Sequence, residues 1–287
     1  MAKQPRISLE IYPPPANQGD AALDAALGRM MALRPDFMSV TYGADGSGQD
    51  RSLRLVQRLA VGDGMPLAAH LTCVGARREM VDAVARGWWQ LGIRRIVALR
   101  GDMPGGGAWQ PRADGYANAA GLVAGLKRVA PFDIAVAAYP EGHPDSPNPA
   151  ADIDNLKAKQ DAGAALAITQ YCFDDAAFAR LRDRAVAAGV SIPIVPGVLP
   201  VHDFARVVSF SRRCGATIPD WLAGRFAGLE DNAPARAEVA AEIAADQIVT
   251  LAREGFDRFH LYTLNRADLA EGICRRIGIR PGVARAA

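Results

Sequence analysis

Ionisable and amide side chains stand inside or directly after the short apolar runs of this sequence, where they could take part in catalysis. Glu10 lies within such a run, between Leu9 and Ile11. Burial without a partner would raise the pKa of this carboxyl until it stayed protonated, and a general acid near neutral pH needs a protonated carboxyl. Glu10 is therefore a candidate proton donor. The alternative is a solvated glutamate on an edge strand.

The segment IVALRGDMPGGG, residues 96–107, places Arg100 and Asp102 just beyond an apolar run. The two side chains could pair with each other or with neighbours. Alternatively, Arg100 could bind an anion and Asp102 could face a cationic or NH-rich ring. The glycines of this segment lack the GxGxxG spacing between a strand and a helix, so a Rossmann dinucleotide site is not indicated.

Further residues near the ends of apolar runs could recognise a ligand. His70, in LAAHLTC, could be a satisfied core histidine or part of a binding site. Gln170, in AITQY, carries both the donor and the acceptor that suit the edge of a heterocycle. Arg266, in YTLNR, could meet the carboxylate tail of a substrate. The glycine-rich stretch after Thr41 would let backbone N–H groups approach a phosphate or a ring edge.

A polar stripe is predicted on the helix that follows the motif AAYPEGHP. Asn148 and Pro149 fit an N-cap and a first-turn proline for this helix. Asp152, Asn155 and Lys159 then lie at positions i, i+3 and i+7, on one face. A solvated face explains such stripes in most proteins, but the start of a helix at a strand end could also accept a diphosphate.

Composition and residue spacing argue against several other classes of protein. The 33 basic and 31 acidic residues leave a net charge of +2, which argues against a nucleic-acid-binding surface. No serine or cysteine occupies a nucleophile elbow, and the four histidines and four cysteines show no metal-ligand spacing. The N-terminus lacks an apolar signal region, and no apolar run reaches the length of a membrane span. We therefore predict a cytoplasmic protein without nucleic-acid, membrane or metal partners.

Eight strand-like runs alternate with helical patterns along the chain. The strand starts recur at intervals of roughly 26 to 41 residues, and the last interval is about twice as long. The strand-like runs are Ile7–Tyr12, Phe37–Tyr42, Leu67–Cys73, Ile93–Arg100, Ile134–Tyr139, Ala165–Tyr171, Ile192–Leu199 and Arg258–Leu264. The helical patterns are Ala21–Ala32, Leu53–Leu59, Arg77–Leu91, Asn118–Val129, Ala150–Ala162, Ala176–Ala188, Asp203–Cys214, Ile218–Gly228 and Ala233–Glu254, the last ending at Gly255.

This alternation predicts a single (β/α)8 barrel domain over residues 1–287. A doubly wound open sheet gives a similar spacing and is the alternative. In a barrel, the C-terminal ends of all strands meet at one mouth, which is where such barrels carry their active sites. The barrel would therefore bring the candidate residues together.

The order of the motifs resembles that of one enzyme family. SLEIYPPP, SVTYGADG, AHLTC, IVALRGDMP, VAAYPEGHP, ITQYCFD, IVPGVLPV and FHLYTLNRA follow one another along nearly the whole chain. LRGD, AAYPExHP and YTLNRA in one chain form a highly specific combination. On these motifs the sequence is similar to the methylenetetrahydrofolate reductases of the bacterial, single-domain type.

The resemblance implies a (β/α)8 barrel that binds FAD non-covalently and reduces 5,10-methylenetetrahydrofolate to 5-methyltetrahydrofolate with NADH or NADPH. Matched motif by motif, it implies that Glu10 is the general acid that helps to open the five-membered ring, and that Asp102 lies near flavin and pterin, where its charge favours the cationic intermediate. The implied substrate-binding residues are Gln170, Phe210, Tyr262 and Arg266. The implied flavin-binding residues are Thr41, His70, Arg100, Gly101, Asp102, Ala117, Tyr139, His143, Asp152, Asn155 and Lys159.

The resemblance also implies ping-pong kinetics, because the nicotinamide and the folate would use the same flavin face in turn. It implies a homo-oligomer, either a dimer or a tetramer. Two rival functions are a flavin barrel of the proline-dehydrogenase kind and a non-catalytic pterin- or nucleotide-binding barrel. The sequence does not distinguish NADH from NADPH, because no fingerprint acid or arginine for the ribose is visible.

Overall fold

All eight predicted strand regions form strands, and the strands close into a barrel. The computed structural model describes residues 4–15, 19–43, 49–62 and 64–282. The strands are β1 Arg6–Ile11, β2 Met38–Val40, β3 Leu67–Thr72, β4 Arg95–Leu99, β5 Asp133–Ala138, β6 Leu166–Tyr171, β7 Ile194–Val198 and β8 Arg258–Tyr262. Each strand pairs in parallel with its neighbour in sequence, and β8 pairs with β1. This closure confirms the (β/α)8 barrel and excludes the open sheet.

Ten helices in the described part of the chain surround the barrel. They are α1 Ala21–Met31, α2 Gln49–Ala60, α3 Arg78–Gln90, α4 Ala119–Val129, α5 Pro149–Asp161, α6 Asp175–Ala187, α7 Phe204–Cys214, α8 Asp220–Phe226, α9 Ala233–Arg253 and α10 Ala267–Arg276. The first nine coincide with the predicted helical patterns. The tenth helix, α10, was not among the predicted helical patterns, and it buries Leu269 and Ile273. Residues 44–48 of the glycine-rich stretch predicted after Thr41 lie outside the described residues.

Local sequence signals fix several helix ends. The side chain of Asn148 accepts a hydrogen bond from the backbone N–H of Ala151, and Pro149 opens α5, as predicted. Asn118 and Asp203 cap α4 and α7 in the same way. Gly255 follows the end of α9 with a φ of +96°, a left-handed conformation that favours glycine. These caps set where α4, α5 and α7 begin and where α9 ends.

The inside of the barrel has an apolar lower layer and a polar upper layer. The lower layer is a buried cluster of Phe37, Ala68, Val97, Ala135, Leu166, Ile168 and Val195. Ser39 and His70 are also buried, and each stands two residues further along the chain than a member of the lower layer. Ser8 and His260, which face each other across the β1–β8 pair, complete the upper layer. None of the helices among the described residues has the length and hydropathy needed to cross a bilayer.

Candidate active site at the barrel mouth

Glu10, His70 and His260 meet inside the mouth of the barrel. Oε2 of Glu10 lies 3.7 Å from Nε2 of His70 and 3.9 Å from Nε2 of His260. The side chain of Glu10 keeps 22% of its surface exposed, whereas His260 is buried. A closed barrel has no edge strand, so the edge-strand alternative for Glu10 is excluded. The carboxyl is therefore within reach of a ligand and has two imidazoles beside it.

Ser8 and His260 belong to this site, although the sequence analysis did not include them. Oγ of Ser8 lies 2.7 Å from Nδ1 of His260. The ring of His260 stacks on Phe37, with centroids 5.9 Å apart, and meets Tyr262 edge-on at 5.4 Å. Alternation along a strand points Ser8 and Glu10 to the same side, and that was the available signal. The partnership with His260 requires the closing β1–β8 pair.

His70 is a buried imidazole whose Nε2 has no hydrogen-bond partner among the described residues. Burial lowers the pKa of His70 from 6.5 to about 4, the Glu10 carboxylate opposes this shift, and His260 adds to it. His70 is therefore neutral at pH 7. A buried ring nitrogen without a hydrogen-bond partner destabilises a protein core. A ligand that completes the hydrogen bonds of His70 explains this nitrogen better than a purely structural role.

Tyr262 reaches from β8 across the mouth to β6. Its hydroxyl donates to the carbonyl oxygen of Thr169 at 2.7 Å. Gly197 on β7 leaves room for this crossing, because a Cβ there would lie 2.7 Å from the Tyr262 ring and 2.2 Å from the Thr169 oxygen. Burial, followed by the charge of Glu10, raises the pKa of Tyr262 well above 10. Tyr262 is thus an uncharged side chain that lines the site.

Gln170 and Phe210 both contact Tyr171, which lines a small cleft between the end of β5 and the end of α7. Gln170 lines this cleft and accepts a hydrogen bond from the backbone N–H of Tyr171 at 3.0 Å. The Tyr171 hydroxyl is 2.7 Å from Oγ of Ser211, and its ring stacks with Phe210 at 6.1 Å. Phe210 itself is 45% exposed. An amide and an exposed ring on this side of the mouth suit a flat heterocycle.

Arg100, just after β4, is held by an acidic and an aromatic side chain from two different loops. Its Nη2 lies 2.7 Å from Oδ2 of Asp145, so Arg100 pairs with this residue and not with Asp102. The guanidinium carbon lies 5.0 Å from the ring centroid of Trp109. The indole N–H of Trp109 donates to the carbonyl oxygen of Ala117 at 2.8 Å. Trp109, which was not among the predicted site residues, therefore contacts two predicted cofactor-binding positions, Arg100 and Ala117.

Gly101 and Asp102 continue the chain from Arg100 along the rim. Gly101 has a φ of +84°, and a Cβ there would lie 2.5 Å from Cγ1 of Val74, so only glycine fits. Asp102 is exposed. Burial raises the pKa of Tyr139 to about 12, and the charge of Asp102 adds to this shift. The negative charge of Asp102 therefore reaches into the mouth.

Most of the predicted polar stripe on α5 is turned inwards. Lys159 is buried, and its Nζ donates to the carbonyl oxygen of Ala137 at 2.9 Å. Burial lowers the pKa of Lys159 to about 8, with Asp152 opposing the shift. Asp152 accepts a hydrogen bond from the backbone N–H of His143 at 3.1 Å. Of the three stripe residues, Asn155 alone is exposed, so a solvated face does not describe Asp152 and Lys159.

The other predicted residues lie further out on the rim. Arg266 forms a two-pronged ion pair with Asp268, at 2.9 and 2.6 Å, where α10 begins. This pair raises the pKa of Arg266 and lowers that of Asp268. Thr41 is partly buried at the end of β2, and Ala117 is exposed just before α4. A ligand carboxylate at Arg266 would have to share the guanidinium with Asp268.

The rim between β3 and α5 fits an anionic, ring-containing cofactor. It offers the free Nε2 of His70, the cations Arg100 and Lys159, and the close backbone approach at Gly101. These are the groups that a flavin nucleotide needs for its ring edge and its phosphates. The described residues contain no group of three or more His, Cys, Asp or Glu side chains that could hold a metal ion.

Sequence and structure comparisons relate the chain to known proteins. The family model of methylenetetrahydrofolate reductase matches residues 1–278. The 5,10-methylenetetrahydrofolate reductases of Pectobacterium carotovorum and Escherichia coli are both 44% identical to the chain, covering 97% and 98% of it and 92% and 93% of their own lengths. A Clostridium thermocellum protein described as binding two copies of 5-methyl-5,6,7,8-tetrahydrofolic acid shares the fold, with a TM-score of 0.62, 14% identity and 96% of both chains covered.

Proposed function

The chain belongs to the methylenetetrahydrofolate reductase family, and from that premise we propose that it reduces 5,10-methylenetetrahydrofolate to 5-methyltetrahydrofolate with NADH or NADPH as the donor and with non-covalently bound FAD. The observation that carries this proposal is the position of Glu10. Its carboxyl stands in the mouth of a closed barrel, partly exposed and flanked by His70 and His260. A reaction that opens a nitrogen-containing ring needs a proton donor in such a place.

FAD, when bound, supplies the carrier that takes a hydride from the nicotinamide and gives it to the folate. Arg100 and Lys159 would meet its anionic groups, and the free Nε2 of His70 would meet a ring edge. We assign the same cofactor a wider set of contacts on the rim. These further residues are Thr41, Gly101, Asp102, Ala117, Tyr139, His143, Asp152 and Asn155.

Glu10 would give its proton to a nitrogen of the five-membered ring, which leaves with the electron pair of the broken C–N bond. The other nitrogen then shares its lone pair with the methylene carbon, and a cation results. The exposed carboxylate of Asp102 on the same rim would stabilise that positive charge. Protonation by Glu10 and charge stabilisation by Asp102 are therefore separate contributions, and each can be removed alone.

The substrate would be held on the side of the mouth formed by β6, α7 and β8. Gln170 offers a donor and an acceptor to the pterin edge, and Phe210 offers an exposed ring for stacking. Tyr262 would form a wall beside Glu10. Arg266 would bind the carboxylate tail in competition with Asp268. The roles of these four residues follow from their placement and from the family resemblance.

Purified full-length protein tests the proposal in two anaerobic steps. Bound flavin should be bleached by NADH or NADPH, and its colour should return on addition of methylenetetrahydrofolate. Comparison of the two nicotinamides gives the donor preference. Absence of both steps with added FAD would point to a binding protein, and bleaching without recolouring by the folate would point to a dehydrogenase of another substrate.

The variant Glu10→Gln isolates the proton donor. We expect reduction by the nicotinamide to be retained, because it needs no proton from Glu10, and the folate step to fall by about 10²- to 10⁴-fold. Glu79→Gln, at an exposed glutamate on α3, is the matched control and should leave both steps unchanged. Equal losses in both steps of Glu10→Gln would refute the general-acid role.

Steady-state kinetics test the order of the two steps. Since donor and folate would use one flavin face in turn, we propose a ping-pong mechanism, with parallel double-reciprocal lines as the expected pattern. We also propose a cytoplasmic homo-oligomer, a dimer or a tetramer, which sedimentation of the purified protein can test.

A further inference from the structure

Both imidazoles beside Glu10 approach the same carboxylate oxygen. Oε2 is the oxygen nearest to Nε2 of His70, at 3.7 Å, and to Nε2 of His260, at 3.9 Å. Oε1 is therefore the oxygen left for a ligand in the mouth. A carboxyl that gives up a proton from Oε1 develops negative charge that can be stabilised at Oε2, provided that a donor faces Oε2.

Ser8 determines whether His260 can be that donor. Its Oγ lies 2.7 Å from Nδ1 of His260 and 3.4 Å from the carbonyl oxygen of Phe259. The shorter distance is ideal for an O–H···N hydrogen bond, and the longer one exceeds the usual O–H···O range. With the serine proton directed at Nδ1, a neutral His260 carries its own proton on Nε2, and that N–H faces Glu10.

Packing keeps the His260 ring in this orientation. The ring is buried, stacks on Phe37 at 5.9 Å and meets Tyr262 edge-on at 5.4 Å. Thr263 anchors the Glu10 backbone from the other side, because its hydroxyl donates to the Glu10 carbonyl oxygen at 2.6 Å. Side-chain and backbone contacts therefore hold the donor and the acceptor in a fixed relation.

We propose that Ser8 and His260 form a positioning pair for the proposed general acid: Ser8 holds His260 in the tautomer with the proton on Nε2, and this N–H stabilises the Glu10 carboxylate as its proton leaves from Oε1. The proton moves directly from Glu10 to the substrate, and none passes through His260. The O–H bond of Glu10 breaks, a substrate nitrogen gains the proton, and the 3.9 Å separation between Nε2 and Oε2 shortens to hydrogen-bond distance. Neither Ser8 nor His260 touches the substrate.

Neutral His70 cannot replace this pair. The same buried environment that keeps His70 neutral leaves its Nε2 unpartnered among the described residues, and the proposed cofactor role would occupy that nitrogen. His260, by contrast, has its second nitrogen fixed by Ser8. The asymmetry between the two imidazoles is the reason for assigning the positioning role to His260.

Two serine variants test the proposal, which rests on the proposed function of Glu10. Ser8→Ala should slow the folate step by about 10- to 100-fold, the effect of losing one hydrogen bond to a charged group, and should leave nicotinamide-dependent flavin bleaching within about twofold. Ser8→Thr keeps the hydroxyl and should restore most of the rate. Cys274→Ala, at a buried cysteine on α10, controls for loss of core packing and should change neither step.

The tautomer itself can be observed in the unmodified protein. Nitrogen-15 NMR of histidine-labelled protein, with His260→Gln used for assignment, should show the His260 proton on Nε2, and Ser8→Ala should shift the population towards Nδ1. A wild-type proton on Nδ1, or a normal folate step in folded Ser8→Ala, would overturn the pair's role. A wild-type enzyme without either half-reaction would instead contradict the proposed function, and the NMR result would still decide the tautomer.

Discussion

The stability of the protein in mild acid tests the environment of His70. Burial lowers the pKa of His70 from 6.5 to about 4, and the attraction of the Glu10 carboxylate offsets only part of this shift. Between these pH values His70 is protonated in the unfolded chain but not in the folded protein. The free energy of unfolding therefore falls as the pH drops from 6.5 to 4. A shift of about 2.5 units corresponds to about 3 kcal/mol, fully lost below pH 4.

Urea unfolding of the wild type and of His70→Gln measures this loss. Other groups titrate alike in both proteins, so their difference in unfolding free energy isolates His70, with any packing change as a constant offset. From pH 7.5 to pH 5 the difference should move by about 2 kcal/mol in favour of the variant. His202→Gln is the control: burial also lowers the pKa of His202, but this histidine is less buried and should give a smaller slope. Parallel pH profiles of wild type and His70→Gln would refute the assigned environment.

Two smaller changes probe the mouth and its rim. Gly197→Ala should destabilise the protein by about 1–3 kcal/mol in urea unfolding, because its methyl group would overlap the Tyr262 ring, whereas Gly224→Ala on α8, with nothing within 4 Å, should be neutral or stabilising. Trp109→Ala should weaken FAD binding about tenfold in a fluorescence titration, because Arg100 loses its cation–π contact with the Trp109 ring. Trp221→Ala, at an exposed tryptophan, is the control and should leave FAD binding unchanged. An unchanged FAD affinity of Trp109→Ala would show that the arginine needs no support from this ring.

The alternation of apolar runs and helical patterns was enough to predict the barrel, because each βα unit carries its own local signals. The omission of α10 was avoidable. Leu269 and Ile273 stand four residues apart between Arg266 and the basic pair at 275–276, which is the spacing of a short amphipathic helix. The distinction between a barrel and an open sheet, by contrast, could not be made from local sequence signals. It depends on the pairing of β1 with β8, between segments about 250 residues apart, and no local pattern encodes it.

Sequence reasoning found Glu10, which lies next to the last residue of β1, and left His70 open as a core histidine or part of a binding site. It missed His260, because an imidazole inside an apolar run looks like a core residue until its partner Ser8 is known. It also left the partner of Arg100 open, and the structure supplies Asp145 from a loop 45 residues away. Motif order therefore indicated the chemistry, whereas the contacts that orient the reacting groups depend on tertiary structure.

The two layers inside the barrel explain why this fold can accommodate such a site. A (β/α)8 barrel is usually filled by branched apolar side chains, and a buried polar atom without a partner costs about 1–3 kcal/mol. Here the lower layer, from Phe37 to Val195, supplies the apolar packing that holds the strands. The upper layer contains atoms without hydrogen-bond partners among the described residues, Oγ of Ser39 and Nε2 of His70. Their cost is tolerable because the strands are already fixed below them, and the same unpaired groups are those that a ligand in the mouth could satisfy.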